Sequence, residues 1–322
     1  MRAFKPFAVS AIVLALATLA VSAPSRLAES GFGAGKPAFA DDPPINQEGT
    51  PPSPQEIRAR ADQFVANQHK DDQFLEQYER IEHHVDRTAG SNPRTIEDRV
   101  YRMVPTGAGL ARILLRENGK PIDQATYNRQ MQNLKDLLQT MANPNDSRAK
   151  TAYAKRQKRE KDRTDFVDAA KEAFNVKWLG SSILRGRSCD VFELDPKPDF
   201  HPHGVFQDAL AHVTARVWVD RETVQMLRGE ARVISDASFG GGILGKLYRG
   251  SVVSMNQSEV APGIWLPMHM QYDFAGRKFV FSFEQHKTID AGHYRRVGPP
   301  REALLLVQNE LANGKSLLYP DP

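Results

Sequence analysis

The chain has 322 residues, 43 Lys and Arg against 39 Asp and Glu, a formal net charge of +4 and a single cysteine, Cys189. One cysteine excludes an intramolecular disulfide, so the fold must rest on its core. Residues 1–40 hold Arg2, Lys5, Arg26 and Lys36 against Glu29; without them 39 basic and 38 acidic residues remain, so the basic balance argues for no nucleic-acid partner.

Arg2 and Lys5 precede Phe7 to Ala23, a 17-residue weakly polar run rich in Ala, Leu and Val. That is the build of a secretory signal peptide, and it falls short of the about 20 residues a spanning helix needs. The expected location is the periplasm, with an uncleaved inner-membrane anchor as the alternative. Val21-Ser22-Ala23 has the small-x-small form of a cleavage site but is followed by Pro24; Ala38-Phe39-Ala40 before Asp41 fits the rule and lies far from the apolar run. No cysteine stands near either, which excludes a lipoprotein anchor. Signal peptide and leader are therefore assigned to 1–40, a proline-rich linker to 41–54, one domain to 55–290 with a helical insert at 122–174, and a tail with a short helix to 295–322. Roughly 235 residues between linker and tail suffice for one good-sized domain.

Pro54 and Glu56 open an amphipathic helix carrying Ile57, Ala61, Phe64 and Val65. From about Gln77 the alternation Tyr78-Glu79-Arg80-Ile81-Glu82-His83 favours a strand. Thr95 to Val104 and Ala111 to Glu117 follow as strands, the second closed by the turn Asn118-Gly119-Lys120-Pro121. In the insert, Asp123 to Met141 places Tyr127, Met131, Leu134 and Leu138 on one helical stripe. Asp146 to Phe174 continues as a charged helix whose clear core contacts are Phe166, Val167 and Ala170. Eight of its residues between Arg148 and Arg163 are basic against Glu160 and Asp162. A solvated face explains this, and Lys155, Arg156, Lys158 and Arg159 would alternatively meet anionic headgroups at about 1 kcal/mol each.

Strands resume at Val176–Leu184 and Cys189–Leu194, with Asp195-Pro196-Lys197-Pro198 as a break. They continue at about 214–220, 224–234, 247–260, 264–274 and 279–289, before a helix at Arg301–Leu311 with Leu304, Leu305 and Val307 on its apolar face. In the last two strands Ile264, Leu266, Met268, Met270, Tyr272 and Phe274 alternate with Trp265, Pro267, His269, Gln271 and Asp273. Phe279, Phe281 and Phe283 then alternate with Val280, Ser282 and Glu284. Period two means one apolar and one polar face, and the apolar face must be covered by helices, another sheet or a ligand.

Gly240-Gly-Gly-Ile-Leu-Gly245-Lys246 resembles a phosphate-binding loop but has Leu247 in place of the magnesium-holding hydroxyl and leads into a strand. A flexible loop with Phe239, Ile243 and Leu244 at its tip, gating a cavity, fits better. Asp199, His201, His203 and His212 form a metal-like local cluster without zinc spacing, and a hydrolase built on Asp199, His201 or His203 is a remote alternative. His83-His84 reads as a strand edge. Cys189, near Arg187 but without a His or second Cys, reads as a buried inert thiol. No catalytic motif, resident metal or cofactor is expected. The soft side chains Val217, Val219, Leu227, Met268, Met270, Tyr272, Phe274, Phe279, Phe281 and Phe283 would line one surface able to accommodate acyl chains.

Three segments carry a family resemblance: Val191-Phe192-Glu193-Leu194-Asp195-Pro196-Lys197-Pro198, Ala215-Arg216-Val217-Trp218-Val219-Asp220-Arg221-Glu222-Thr223, and Val260-Ala261-Pro262-Gly263-Ile264-Trp265-Leu266-Pro267. Together with the order of elements they resemble the LolA/LolB-like superfamily of periplasmic lipoprotein-sorting proteins, over roughly Pro54 to His286. The resemblance implies an α+β fold: a strongly curved antiparallel sheet, a half-barrel, with helices packed in or over its concave face and lipid held there without chemistry. The insert Asn143 to Phe174 is longer than the family's usual helices, and neither Arg112 nor Arg228 matches its gating arginine. The expected activity is a non-enzymatic carrier, monomeric, binding a lipid or acylated lipoprotein, touching a membrane surface transiently and binding no nucleic acid. The alternative is a periplasmic sensor or structural module docking a protein partner.

Overall fold

The computed structural model describes residues 43–47, 50–89, 92–202, 207–239, 245–278 and 281–313. The leader, Ile243, Leu244, His203 and Phe279, all singled out above, lie outside them, as do the side chain of Phe239 and residues 314–322.

Helix α1 (Pro54–Leu75) begins where Ser53 and Glu56 cap each other: the Ser53 hydroxyl accepts from the Glu56 amide at 3.3 Å and the Glu56 carboxylate from the Ser53 amide at 2.7 Å. After two residues the chain enters β1 (Tyr78–Arg87), then β2 (Thr95–Pro105), β3 (Leu110–Glu117) and the short β4 (Lys120–Pro121). The turn into β4 uses Asn118 at φ 52° and Gly119 at φ 74°. Helices α2 (Gln124–Ala142) and α3 (Ser147–Ala173) follow, capped by Asp123 and Asp146. Then come β5 (Phe174–Leu184), β6 (Arg187–Pro196), a 3-10 turn (Gln207–His212), β7 (Val213–Asp220), β8 (Met226–Val233), β9 (Ala237–Phe239), β10 (Gly245–Leu247), β11 (Val252–Ala261), β12 (Ile264–Lys278), β13 (Phe281–Arg296) and α4 (Pro300–Ala312).

All thirteen strands join one antiparallel sheet in the order β4-β3-β2-β1-β13-β12-β11-β8-β7-β6-β5, with β9 and β10 off the path. The path does not close on itself. Register shifts interrupt the β1–β13, β1–β2, β2–β3, β5–β6, β7–β8 and β11–β12 pairings, and each such bulge bends and twists its strand. The fold class is α+β, as expected.

Three element boundaries differ from the sequence reading. The strand expected over 247–260 is two, because residues 248–251 turn, with Gly250 at φ 93°. Strand β6 runs through Pro196, which sits at its last residue, opposite Phe174, where no further amide is needed. Strand β13 continues past 290 to Arg296, so α4 follows directly and packs into the core through Ala303 and Val307. The pair His83-His84 lies on β1, between β2 and β13, and not at a sheet edge.

One line of directly paired residues defines a first face of the sheet: His84, Ile289, Met270, Met255, Gly229, Val217, Phe192 and Trp178. Its neighbour, His83, Asp290, His269, Asn256, Arg228, Trp218 and Val191, defines the second. Helix α1 and the 3-10 turn cover the first face through Phe64 and Ala209. Helices α2 and α4 cover the second face at β1–β3, where Ile81, Val100 and Ile113 meet Met131, Leu134, Leu138 and Val307. There Arg102, 1% exposed, binds Glu79 at 2.7 Å and Glu310 of α4 at 2.6 Å. Burial pushes the Glu310 carboxyl up, but Arg102 and Arg295 outweigh it and hold it low. Helix α3 lies along α1, tied by Lys171–Asp62, Arg163–Asp72 and Arg156–Glu76 at 2.6, 3.0 and 3.0 Å. Among the described residues no helix is long and apolar enough to cross a membrane.

Candidate functional site

The alternation of β11 and β12 places Val253, Met255, Met270, Tyr272 and Phe274 on the first face, where they form a buried cluster with Ala231, Val233 and Ile289. The Tyr272 and Phe274 rings lie 5.6 Å apart at 55°, and the Tyr272 hydroxyl is 3.5 Å from the Met270 sulfur. Burial drives the Tyr272 phenol well above its ordinary range. Phe283 packs at the margin over Gly276, where an added methyl would meet its ring at 3.0 Å; no side chain fits between strand and aromatic.

The residues expected to line one surface are distributed as follows. Met270, Tyr272 and Phe274 are in this cluster, with Val217 and Phe283 packed against it. Val219 adjoins on the same side, beside Phe192 and Val224 and under Ile57 and Phe64 of α1. Leu227 is elsewhere. Trp218 pairs with Arg228 and Val219 with Met226, so Leu227 is the extra residue of a bulge and joins Cys189, Val191, Trp218 and Trp265. Met268 is likewise the extra residue between the Asn256–His269 and Gln257–Pro267 pairs, and is half-buried. Phe281 is 54% exposed.

Helix α1 meets this apolar floor through Phe64, and its other buried contacts are of a different kind. The fully buried residues of α1 are Gln68, Asp71, Asp72 and Leu75, three of them polar. The Gln68 and Gln257 amides bond each other at 3.4 Å and Gln68 donates to Gln225 at 3.4 Å. Asn67 donates to the carbonyls of Thr223 and Val224 at 3.0 and 3.1 Å, and the Trp265 amide donates to Asp71 at 3.1 Å. The second Asp71 oxygen is buried without a hydrogen bond. Burial pushes its carboxyl from 3.8 to about 6, against the Trp265 amide and Lys70, and pushes Asp72 up against Arg163. Helix α1 is thus held to the sheet by polar contacts as well as by Ile57, Phe64, Phe74 and Leu75; sequence periodicity does not register the polar ones because their partners are 150 or more residues away.

Of the four basic residues singled out on the charged helix, Lys155 and Lys158 are exposed, and Lys158 pairs with Asp162 at 3.0 Å. Arg156 is turned inward, binding Glu76, Glu160 and the Gly107 carbonyl, and Arg159 donates to the Ala108 carbonyl at 2.8 Å. Gly107 (φ 81°) permits that contact, since a methyl there would lie 2.5 Å from Pro300. Cys189 is fully buried, its thiol pushed up to about 11 by burial and by Asp190 and Asp220. Arg187 does not offset this; it binds Asp220 at 2.6 Å and lies 5.0 Å over the Trp265 ring. Among the described residues no group of three or more His, Cys, Asp or Glu is placed to hold a metal. An open crevice of about 650 Å³ lies away from the apolar floor, between α2 and α4, lined by Tyr127, Met131, Glu310 and Leu311 among others.

No family model matches the chain, and no curated protein matches it. Solved structures similar to it include a DUF1329 family protein from Desulfovibrio piger, at 14% identity, covering 74% of this chain and 92% of that one, with a TM-score of 0.28. An outer membrane lipoprotein-sorting protein domain from Vibrio parahaemolyticus is 9% identical over 73% of this chain and 93% of its own, with a TM-score of 0.29. A LolA superfamily protein from Nitrosomonas europaea is 10% identical over 79% and 98%, with a TM-score of 0.27. At such TM-scores the likeness says nothing of what the chain binds.

Proposed function

We propose that the chain is an exported, non-enzymatic carrier that takes a lipid, or the acyl group of a lipoprotein, between the first face of its sheet and helix α1. One observation carries this reading: a buried Met-, Phe- and Tyr-bearing floor meets helix α1 through Phe64, while the fully buried residues of that helix are mostly polar and bond to residues at the neighbouring strand ends. A cover of that kind can exchange its hydrogen bonds for water at a modest net cost of about 0.5–1.5 kcal/mol each. The floor it uncovers then gains about 0.8 kcal/mol per acyl methylene buried. Methionines and aromatics suit chains of varying length. Val217, Val219, Met270, Tyr272, Phe274 and Phe283 would contact the chains. Lys155 and Lys158 are among the exposed cations of α3 that could meet an anionic membrane during transfer. A signal peptide within residues 1–40 would deliver the protein to the periplasm.

The test is native mass spectrometry of the protein purified from its own envelope fraction, followed by solvent extraction. A stoichiometric acyl-bearing species is expected. A ligand-free protein that gains no thermal stability from added lipid would overturn the carrier reading and leave the partner-docking module in its place.

A further inference from the structure

On the first face the apolar floor ends at β13, and what lies beyond is charged. Tyr272 directly opposes Lys287 on β13, and Lys287 opposes Asp86 on β1. Two residues back along β1 is His84, then Glu82, which opposes Tyr101 on β2. Arg112 on β3 opposes Met103, which opposes Arg80. Alternation therefore puts Lys287, His84, Tyr101 and Arg112, one from each of four adjacent strands, on the face that carries Met270 and Tyr272. Side-chain contacts draw them together. The His84 and Tyr101 rings meet edge to face at 5.2 Å, and the Arg112 guanidinium lies 5.7 Å from the centre of the Tyr101 ring.

The charges in this stripe are unevenly matched. Glu82 is fully engaged, by Arg80 at 2.6 Å and by His84 Nε2 at 2.7 Å. The Lys287 side chain makes no hydrogen bond or ion pair among the described residues; Glu97 and Asp86 attract it through space. Burial lowers the affinity of Lys287 for its proton and Arg112 lowers it further, while burial pushes the Asp86 carboxyl up. Burial, followed by Lys287 and Arg112, likewise holds His84 low despite Glu82. His84 is 2% exposed, and its Nδ1 is buried without a hydrogen-bond partner. Lys287, with Asp86 and Glu97 near it, Arg112 and the unpartnered His84 Nδ1 thus lie together beside a half-buried tyrosine, at the border of an apolar floor.

We propose that this stripe is an oxyanion subsite, in which Lys287 and Arg112 bind the phosphate or carboxylate head of an amphipathic ligand whose chains lie on Met270, Tyr272 and Phe274. The proposal rests on the carrier reading above and adds a headgroup class to it. An oxyanion here would accept a charge-assisted hydrogen bond from the Lys287 ammonium where water is partly excluded. Tyr101, holding Arg112 over its ring, acts as a positioning residue.

The test uses the full chain and three probes: dihexanoyl phosphatidylglycerol below its micellar concentration, the neutral lipid dihexanoylglycerol, and inorganic phosphate. Calorimetric titration is repeated with Lys287→Gln and Arg112→Gln, and melting curves verify that both variants fold. The expected result is at least tenfold tighter binding of the phospholipid than of the neutral lipid, with the preference lost in both variants and the neutral-lipid affinity unchanged within twofold. Equal affinities for the two lipids, unmoved by the variants, overturn the subsite and leave the carrier reading standing. Phosphate binding as tightly as the phospholipid, abolished in Lys287→Gln, with no neutral-lipid binding, keeps the anion subsite and overturns the carrier reading. Absence of binding by all three probes overturns both.

Discussion

Helix α1 is pinned to the sheet by a carboxylate that the fold would be more stable without. Asp71 is 1% exposed, one oxygen accepts from the Trp265 amide, and the other has no hydrogen-bond partner. Its folded value near 6 lies above the ordinary 3.8, so the folded state holds the proton more tightly than the unfolded chain does. Stability therefore falls as pH rises from about 4 to 6; the loss is absent below that window and complete above it. At about 1.4 kcal/mol per unit the shift from 3.8 to about 6 amounts to about 3 kcal/mol. Asp71→Asn retains the acceptor for Trp265 and cannot ionise. Urea unfolding of wild type and variant, from pH 4 to pH 7.5, should show a difference near zero at the acid end. It should grow to as much as about 3 kcal/mol in favour of the variant at neutrality. The raised carboxyls of Asp72 and Glu76 are common to both proteins and cancel in the comparison. A difference that does not vary with pH, or a variant less stable at pH 7, would refute the reasoning.

Three further outcomes follow from the packing. Phe274→Ala, at a site 1% exposed in the centre of the floor, should cost about 3–5 kcal/mol by urea denaturation. Arg102→Gln, which leaves buried Glu79 and half-buried Glu310 to Arg295 alone, should cost up to about 3 kcal/mol and release α4 to early hydrogen exchange. Cys189, fully buried with its thiol pushed up to about 11, should resist iodoacetamide at pH 8 in the native protein and react promptly in denaturant; fast native alkylation would contradict its placement.

What could be read from the sequence was local. The alternation in 264–274 placed Met270, Tyr272 and Phe274 on one face because period two needs only neighbouring residues, and Pro54 and Glu56 marked the start of α1 within three. Leu227 escaped because a single bulge shifts the alternation by one, and the bulge is a property of the β7–β8 pair rather than of either strand alone. The polar underside of α1 was hidden for a related reason. Gln68 and Asp71 look like solvent-facing helix residues until Gln225, Gln257 and Trp265 arrive from distant strands. The charged stripe of Lys287, His84 and Arg112 is spread over 204 positions of the chain and exists only once β3, β2, β1 and β13 lie side by side.

The two ends of α1 are tethered very differently, and this sets the direction in which it can leave the sheet. Its C-terminal end passes into β1 through Glu76 and Gln77 alone, while its N-terminal end is preceded by a longer lead back to Asn46, which bridges to Ser181 on β5. Two ion pairs nevertheless hold the N-terminal half in place: Arg60 binds Asp190 of β6 at 2.5 Å and Asp62 binds Lys171 of α3 at 2.6 Å. Both are partly exposed to solvent, so salt screens them, whereas the Asp71–Trp265 contact near the other end is buried. Raising ionic strength should therefore loosen α1 from its N-terminal end first, under Ile57 and Phe64, over Phe192 and Val219.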